Sequence, residues 1–590
     1  MPEPDKKDVV AQWAFDTRSL LLRFHLWLED VEVQWRRGSH GRYEHFDFVP
    51  GDIRHCLAMA AAVTALGTRL FARFGEGKGA DKQTLNQVKK DADAISAYVL
   101  SEALWHFSRR LPENHAIMVC LGEGLMPKAG ETPEMGANPL LGFGRVYARP
   151  EVAKLVDSRV HRMLNDPSYG WRGFYKKMRD MGITIWGAAV DTLENTSRFA
   201  KGEELGPMTV IHLFDQPLTV ARPYEAYMGS LSLPREVTRR AEDHSIHLDL
   251  LSPRKKILEA IELTLPGIRR EHVHVWTLGG KSRFGRLGRL WEEWRGLGVH
   301  LVEEGWSCPS GLPAFTESGT YAPTYLVGVW NDAGGAPHVF LCDGYAASAE
   351  ALQAASLSEA LDVDVSMALY SPKFELPMQD EYFLMRLDPD SPGFESELAR
   401  LFGGGSTSER VDYYRSCRRE AVAANLPAGR RVIRADDFFP EKNWRVLAAT
   451  GYIGRDPYSG LPGVTQLSED RYEVTTQLAT RKAALSVRFV FRFLEPLAQT
   501  RLIFSPLLER FMAGEDYRSR AVKISDSGRI RNELQTLCSQ ALEYENGKIR
   551  VRFDRIDDLV IVPARKEAIR QILEWYKRNH PVWFSWLEIA

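Results

Sequence analysis

Apolar and polar positions change their period several times along the chain. Val10–Trp35, Ile53–Phe74 and Leu85–Arg110 carry apolar residues at three-to-four spacing, which predicts that residues 8–110 are mostly helical. A glycine-rich break, Phe74–Lys82, separates the second helix from the third, and Pro112 stops the third. Short apolar runs predict strands at His115–Leu121, Ile183–Val190, 208–214 and His244–Leu251, with a glycine- and proline-rich loop over 125–150 and a helical region over 151–181. Next come a strand (His272–Leu278), a turn (Gly279–Arg283), a helix (Leu287–Leu297) and a second strand (Val299–Val302). That order is the signature of a parallel βαβ unit. A hairpin around Asp332–Gly335 and a small-residue helix (Ala346–Ser356) follow, then a polar, glycine-rich surface insertion over 387–412. Strand patterns return over 443–450 and 471–495, and the last 90 residues alternate helix, strand and helix. The chain reads as α/β with an additional C-terminal α+β lobe.

A length of 590 residues suggests two to four domains, or one large domain with attachments. The 76 basic and 78 acidic residues nearly cancel, so neither a general nucleic-acid surface nor an acidic-membrane surface is indicated. Cys56, Cys120, Cys308, Cys342, Cys417 and Cys538 form no C-x-x-C pair, which signals neither a zinc site nor a disulfide framework. No apolar run is long enough to span a bilayer, and no N-terminal charged-then-apolar signal appears. The expectation is a cytoplasmic protein with reduced thiols.

Four places carry candidate chemistry. Asp191 ends an apolar strand, with Glu194 and Thr196 close behind. Ligands bind at such strand ends in open α/β sheets, and two carboxylates within one turn can bridge hard cations. Lys89 and Asp93 stand four apart near the start of an amphipathic helix. Glu123 lies between Gly122 and Gly124 after a strand, where glycines leave a carboxylate open to a ligand. Lys281, Ser282 and Arg283 follow two glycines before a helix, a plausible phosphate cradle without P-loop spacing. Each has a bland counterpart: solvated helix starts, a strand-to-loop turn, an ordinary βαβ turn. The βαβ unit, with Glu303 and Glu304 about 20 residues on, also keeps a nucleotide-binding fold open. His272 and His274 alternate along one strand and read as structural, and the basic positions from Arg518 to Arg531 read as a solvated face.

The order of these pieces resembles the class II fructose-1,6-bisphosphatases of bacteria, members of the inositol-monophosphatase-like superfamily of metal-dependent sugar phosphatases. The family pattern is Lys and Asp four apart, then G-E-G, then D-P-I-E-G-T, then a K-P-R phosphate motif. Here those places hold Lys89 and Asp93, Gly122-Glu123-Gly124, the run Asp191 to Thr196 (DTLENT), and Lys281-Ser282-Arg283. Asp343-Gly344 before the small-residue helix resembles the family's Glu-Gly. RVLAATG (445–451) and YEVTTQLATR (472–481) resemble its last strands. The similarity covers about 85–495 in pieces. Thr192 and Asn195 replace the family's Pro and Gly, and Asn tolerates left-handed backbone better than most residues. The family's sugar-contacting acidic loop is not matched by the Glu-Gly-Trp-Ser-Cys-Pro that begins at Glu304.

The resemblance implies a layered α/β/α/β sugar-phosphatase-like architecture. It divides the chain into an N-terminal helical extension (1–50), a metal-binding half (51–265, insertion about 125–180), a phosphate-binding half (266–495, insertion about 355–410) and a C-terminal extension (496–590). It implies Mg²⁺- or Mn²⁺-dependent hydrolysis of a sugar phosphate by a metal-activated water. Asp93, Glu123, Asp191, Glu194 and Asp343 would be the metal ligands, with a carbonyl of Thr192 or Leu193 adding another. Thr196, with Asp191 and Glu194, would carry catalysis. Asn195 and the N–H groups beside it would hold the scissile phosphate, and Lys281, Ser282 and Arg283 the rest of the substrate. The partner is then a small phosphorylated metabolite, and the oligomers common among related sugar phosphatases imply a homo-oligomer. The altered DTLENT motif supports an alternative, a catalytically altered sugar-phosphate- or nucleotide-binding protein with a regulatory or scaffolding role.

Overall fold

The computed structural model describes residues 26–36, 51–108, 111–122, 141, 144–166, 169–218, 227–279, 284–309, 313–314, 320–369, 391–401, 408–409, 411–412, 415, 432–456, 460–468, 471–479, 484–493, 527, 530–531, 534, 541–556 and 563–590. Within them the chain is α/β, built on two large sheets and a small one. The first sheet runs, edge to edge, β1 (Leu26–Arg36), β15 (Ala484–Phe493), β14 (Arg471–Ala479), β12 (Val446–Tyr452), β5 (Met208–Phe214), β4 (Thr184–Glu194), β2 (His115–Gly122) and β3 (Val146–Ala148), with β13 (Val464–Gln466) beside β14. The second runs β11 (Val363–Leu369), β6 (Tyr227–Pro234), β10 (Pro337–Ala347), β7 (Val273–Trp276) and β8 (His300–Leu301), with β9 (Gly328–Asn331) on β10. β2 and β4 are parallel, as are β10, β7 and β8; the other pairs of these two sheets are antiparallel.

The central strands are apolar throughout because both faces are covered. On β5, Met208, Val210 and Phe214 join one core, while Ile211 and Leu213 join another. On β4 the same alternation assigns Ala189 to the first core and Ala188 and Val190 to the second. The second core is closed by helices Gly51–Phe71 and Lys82–Ser108. The first lies between the two sheets and contains helix Ser348–Ser356, which contacts β4 on one side and β6, β10 and β11 on the other. A third core joins helix Pro563–Asn579 to β16 (Leu542–Glu545), β17 (Lys548–Val551) and β18 (Leu587–Ile589) at the C-terminal end.

Two local expectations are corrected, and one further strand is found. Leu26–Arg36, expected as helix, is a strand antiparallel to β15; Val31, Val33 and Trp35 alternate with Asp30, Glu32 and Gln34, and pairing along the whole of β15 favours that period over the helical one. His244–Leu251, expected as a strand, is turn and coil. There Asp249 and Ser252 bond to nearby backbone N–H groups, Leu251 N to Asp249 Oδ1 at 2.8 Å, in place of a ladder. Val363–Leu369, inside the stretch expected as an insertion, is an edge strand of the second sheet. Among the described residues no helix is long and apolar enough to cross a membrane.

Candidate metal centre

The candidate centre begins at the carboxyl end of β4. Asp191 is opposite Val210 of β5, and Glu194 is opposite Met208. Three steps along one strand thus match two on the other, so the ladder contains a bulge between Asp191 and Glu194. In a regular strand, residues three apart point to opposite faces. The extra residue brings Asp191 and Glu194 to the same face, the one bearing Met208 and Val210 in the core between the sheets. The bulge is fixed locally: Leu193 N–H donates to Asp191 Oδ1 at 3.0 Å, and Thr209 Oγ1 donates to Thr192 O at 2.9 Å.

A third carboxylate reaches this face from the other layer. Glu350, in the first turn of helix Ser348–Ser356, offers a ligand atom that lies within 4.8 Å of those of Asp191 and Glu194. Asp191, Glu194 and Glu350 are 3%, 4% and 5% exposed, so little water screens their charges. The first turn of a helix suits an anion, which helps Glu350 to stay buried. Gln353, one turn on, donates from Nε2 to Ala189 O of β4 at 3.0 Å. Ser356 Oγ lies 2.8 Å from His212 Nδ1 on β5 and donates to Gln353 O. Burial pushes the His212 imidazole down to about 3.

Just past the end of β4, the turn after Glu194 meets helix Lys82–Ser108. Asn195 takes left-handed backbone, φ 64° and ψ 41°, where the resembled family has glycine, and its Nδ2 holds Gly206 O at 3.1 Å. Helix Thr196–Ala200 begins at the next residue. Thr196 Oγ1 is 2.9 Å from Leu193 O and 3.2 Å from Asp93 Oδ1. Ser96 Oγ bridges Asp93 O and Thr192 Oγ1 at 2.9 and 2.8 Å. Asp93 is exposed at this rim, and Lys89 stands one turn before it on the same helix.

The structure brings Asp93 to Thr196 and Asp191 to Glu194; Asp93, expected as a fellow ligand, is not one of the three carboxylates that meet. Asp343 is a correction. It lies on the opposite side of β10 from the carboxylate group, with its two oxygens 2.6 and 2.7 Å from Arg254 and one of them 2.8 Å from the Trp294 indole nitrogen. Strand alternation turns it toward helices Arg254–Thr264 and Phe284–Gly296. A carboxylate returns to β4 only seven residues later, at Glu350, from the helix that follows. Its one sequence signal was an acidic residue in the first turn of a small-residue helix, which surface helices also show. Glu123, Lys281, Ser282 and Arg283 lie outside the described residues, although Gly122 is described and pairs with Val190, one residue before Asp191. The chain matches no protein-family model and no curated protein sequence.

His272 and His274 belong to a separate group at the far end of β10. His274 Nδ1 is 2.8 Å from His300 Nδ1, and its Nε2 is 2.8 Å from His338 Nδ1. His338 stacks on His272 and faces Asp332 at 3.4 Å. Burial, then the neighbouring imidazoles, hold His274 down at about 3.

Proposed function

We propose that this protein is a Mg²⁺- or Mn²⁺-dependent phosphatase acting on a small sugar phosphate, with Asp191, Glu194 and Glu350 holding the cation. The observation that carries this reading is the meeting of three buried carboxylates from β4 and from the helix between the sheets. Three buried carboxylates that meet this closely make a donor set that a divalent cation would suit. All the donors are hard oxygens, which suits Mg²⁺ or Mn²⁺ rather than a thiolate- or imidazole-seeking metal. Carboxylate oxygens that come within 4.8 Å of one another would suit the coordination of either ion. When bound, the cation would acidify water and neutralise phosphoryl charge.

The chain's own residues supply the rest. The Thr196 hydroxyl has one proton and two acceptors in reach, Leu193 O and Asp93 Oδ1. It can therefore accept a hydrogen bond from an attacking water while passing its own proton toward Asp93, which is general-base assistance through a relay. Ser96 and the bulge hold that pair in place. Asn195 sets the turn that delivers Thr196. Lys281, Ser282 and Arg283 would hold the remainder of an anionic substrate, as the resemblance implies.

Phosphate release from a panel of sugar mono- and bisphosphates tests the reading, with Mn²⁺, Mg²⁺ or chelator. Release that needs the cation, and falls to background in both Asp191→Asn and Glu350→Gln, is expected. A folded wild type that binds Mn²⁺ and a sugar phosphate yet releases nothing would replace hydrolysis by binding.

A further inference from the structure

Helix Ser348–Ser356 turns three polar side chains to the first sheet at successive one-turn steps. Glu350 meets Asp191 and Glu194, Gln353 meets Ala189, and Ser356 meets His212. The first and last have evident partners. The middle one is half used. Ala189 O can only accept, so the Gln353 atom facing it is the amide nitrogen, and the amide oxygen is turned away. Gln353 is 0% exposed, and its Oε1 has no hydrogen-bond partner. A buried oxygen left without a donor costs about 1–3 kcal/mol, and in native structures such an atom usually marks a water or an ion. Its surroundings name the kind of site. Gln353 is one helical turn from Glu350, and its anchor on β4 is two residues, hence one pleat, from Asp191 on the same face.

We propose that Gln353 is a positioning residue of the carboxylate centre, its N–H pinning the helix to β4 and its Oε1 accepting a hydrogen bond from a water on the bound cation. The inference rests on the cation reading above and deepens it. Mg²⁺ and Mn²⁺ sites built on few carboxylates keep several waters, and those waters need acceptors. A neutral amide is suited to the task, because a fourth carboxylate would add repulsion to three already crowded. The helix has a second clamp that does not involve the Gln353 side chain. Ser356 Oγ donates to Gln353 O, so the proton between Ser356 and His212 comes from the imidazole Nδ1. Removing the Gln353 amide loses the bond to Ala189 O but also removes the buried oxygen that has no donor, two effects that offset while Ser356 keeps the helix docked, whereas removing the Ser356 hydroxyl weakens docking without touching the oxygen.

The test is Mn²⁺ titration of the full-length protein, with free Mn²⁺ read by electron paramagnetic resonance, beside thermal unfolding in EDTA. Gln353→Met should weaken Mn²⁺ binding about 10- to 100-fold while its melting temperature in EDTA stays near that of the wild type. Ser356→Ala should lower that temperature and leave Mn²⁺ affinity unchanged. Gln353→Met binding Mn²⁺ within about twofold of wild type, while Glu350→Gln has lost it, would overturn the role of Gln353 and leave the cation reading standing. Equal losses of affinity in Gln353→Met and Ser356→Ala would make Gln353 a structural clamp only. A wild type that binds no Mn²⁺ would remove both readings.

Discussion

Asp343 and Glu350 should respond in opposite ways to removal of their charge. Asp343 and Arg254 are each 0% exposed, and the carboxylate also receives the Trp294 indole N–H at 2.8 Å. Asp343→Ala would leave a guanidinium buried without its counter-charge, which costs about 3–5 kcal/mol. The stranded indole N–H costs about 1–3 kcal/mol if taken alone. The two losses share one carboxylate and do not add, so a total of about 4 kcal/mol is expected. Replacing both members by apolar residues, Asp343→Leu with Arg254→Met, should recover most of that loss. Glu350→Gln works in the other direction. Two like charges within 4.8 Å of each other repel by about 3.5 kcal/mol or more at an effective dielectric of about 20. Removing one carboxylate from the group should leave the cation-free protein at least as stable as the wild type in EDTA, while Mn²⁺ affinity is lost. Urea unfolding in EDTA reads the first effect, with Trp294 as a reporter in the network, and Mn²⁺ titration reads the second. The reasoning is refuted if Asp343→Ala costs less than about 1 kcal/mol and abolishes Mn²⁺ binding, for Asp343 would then act as a ligand.

Asn195→Gly should be tolerated, whereas Asn195→Ala should lose about 1–2 kcal/mol from the left-handed backbone and also the bond to Gly206 O; chemical denaturation of the two variants decides. Gly451→Ala should lose about 1–3 kcal/mol, because an added Cβ would stand 2.3 Å from Ala61 O and push helix Gly51–Phe71 off β12; an unchanged melting temperature would contradict that packing. The pH dependence of stability should report His212. Its folded pKa of about 3 is below its ordinary 6.5, so the unfolded chain binds the extra proton between those values. Stability is then complete above pH 6.5 and falls with acid toward pH 3, by about 1.4 kcal/mol per pH unit from this group. Melting curves of wild type and His212→Gln that keep a constant offset from pH 7 to pH 5 would exclude it.

Much of the fold was legible where one face or one turn decides. The apolar runs at 115–122, 184–194 and 208–214 are strands, the Asp332–Gly335 turn closes a hairpin between β9 and β10, and the βαβ order gives parallel β7 and β8. Leu26–Arg36 was not legible as a strand, since its period is outweighed locally by helix-compatible spacing and is settled by β15, more than 400 residues away. Asp191, Glu194, Thr196 and Asp93 stood out as candidates because spacing along one strand end and one helix is local information. Glu350 was not, because it comes from another layer.

The sequence by itself determined which segments are apolar on both faces, where the chain turns, and that carboxylates crowd the end of one strand. Those properties are written in neighbouring residues and in the chemistry of each side chain. Only the tertiary structure decided which carboxylates meet. A bulge of one residue turned Glu194 to the side of Asp191, strand alternation gave Asp343 to Arg254, and the helix packed between two sheets brought Glu350 across. Such choices depend on the face a side chain presents to a distant element, and a face is fixed only when both layers are in place.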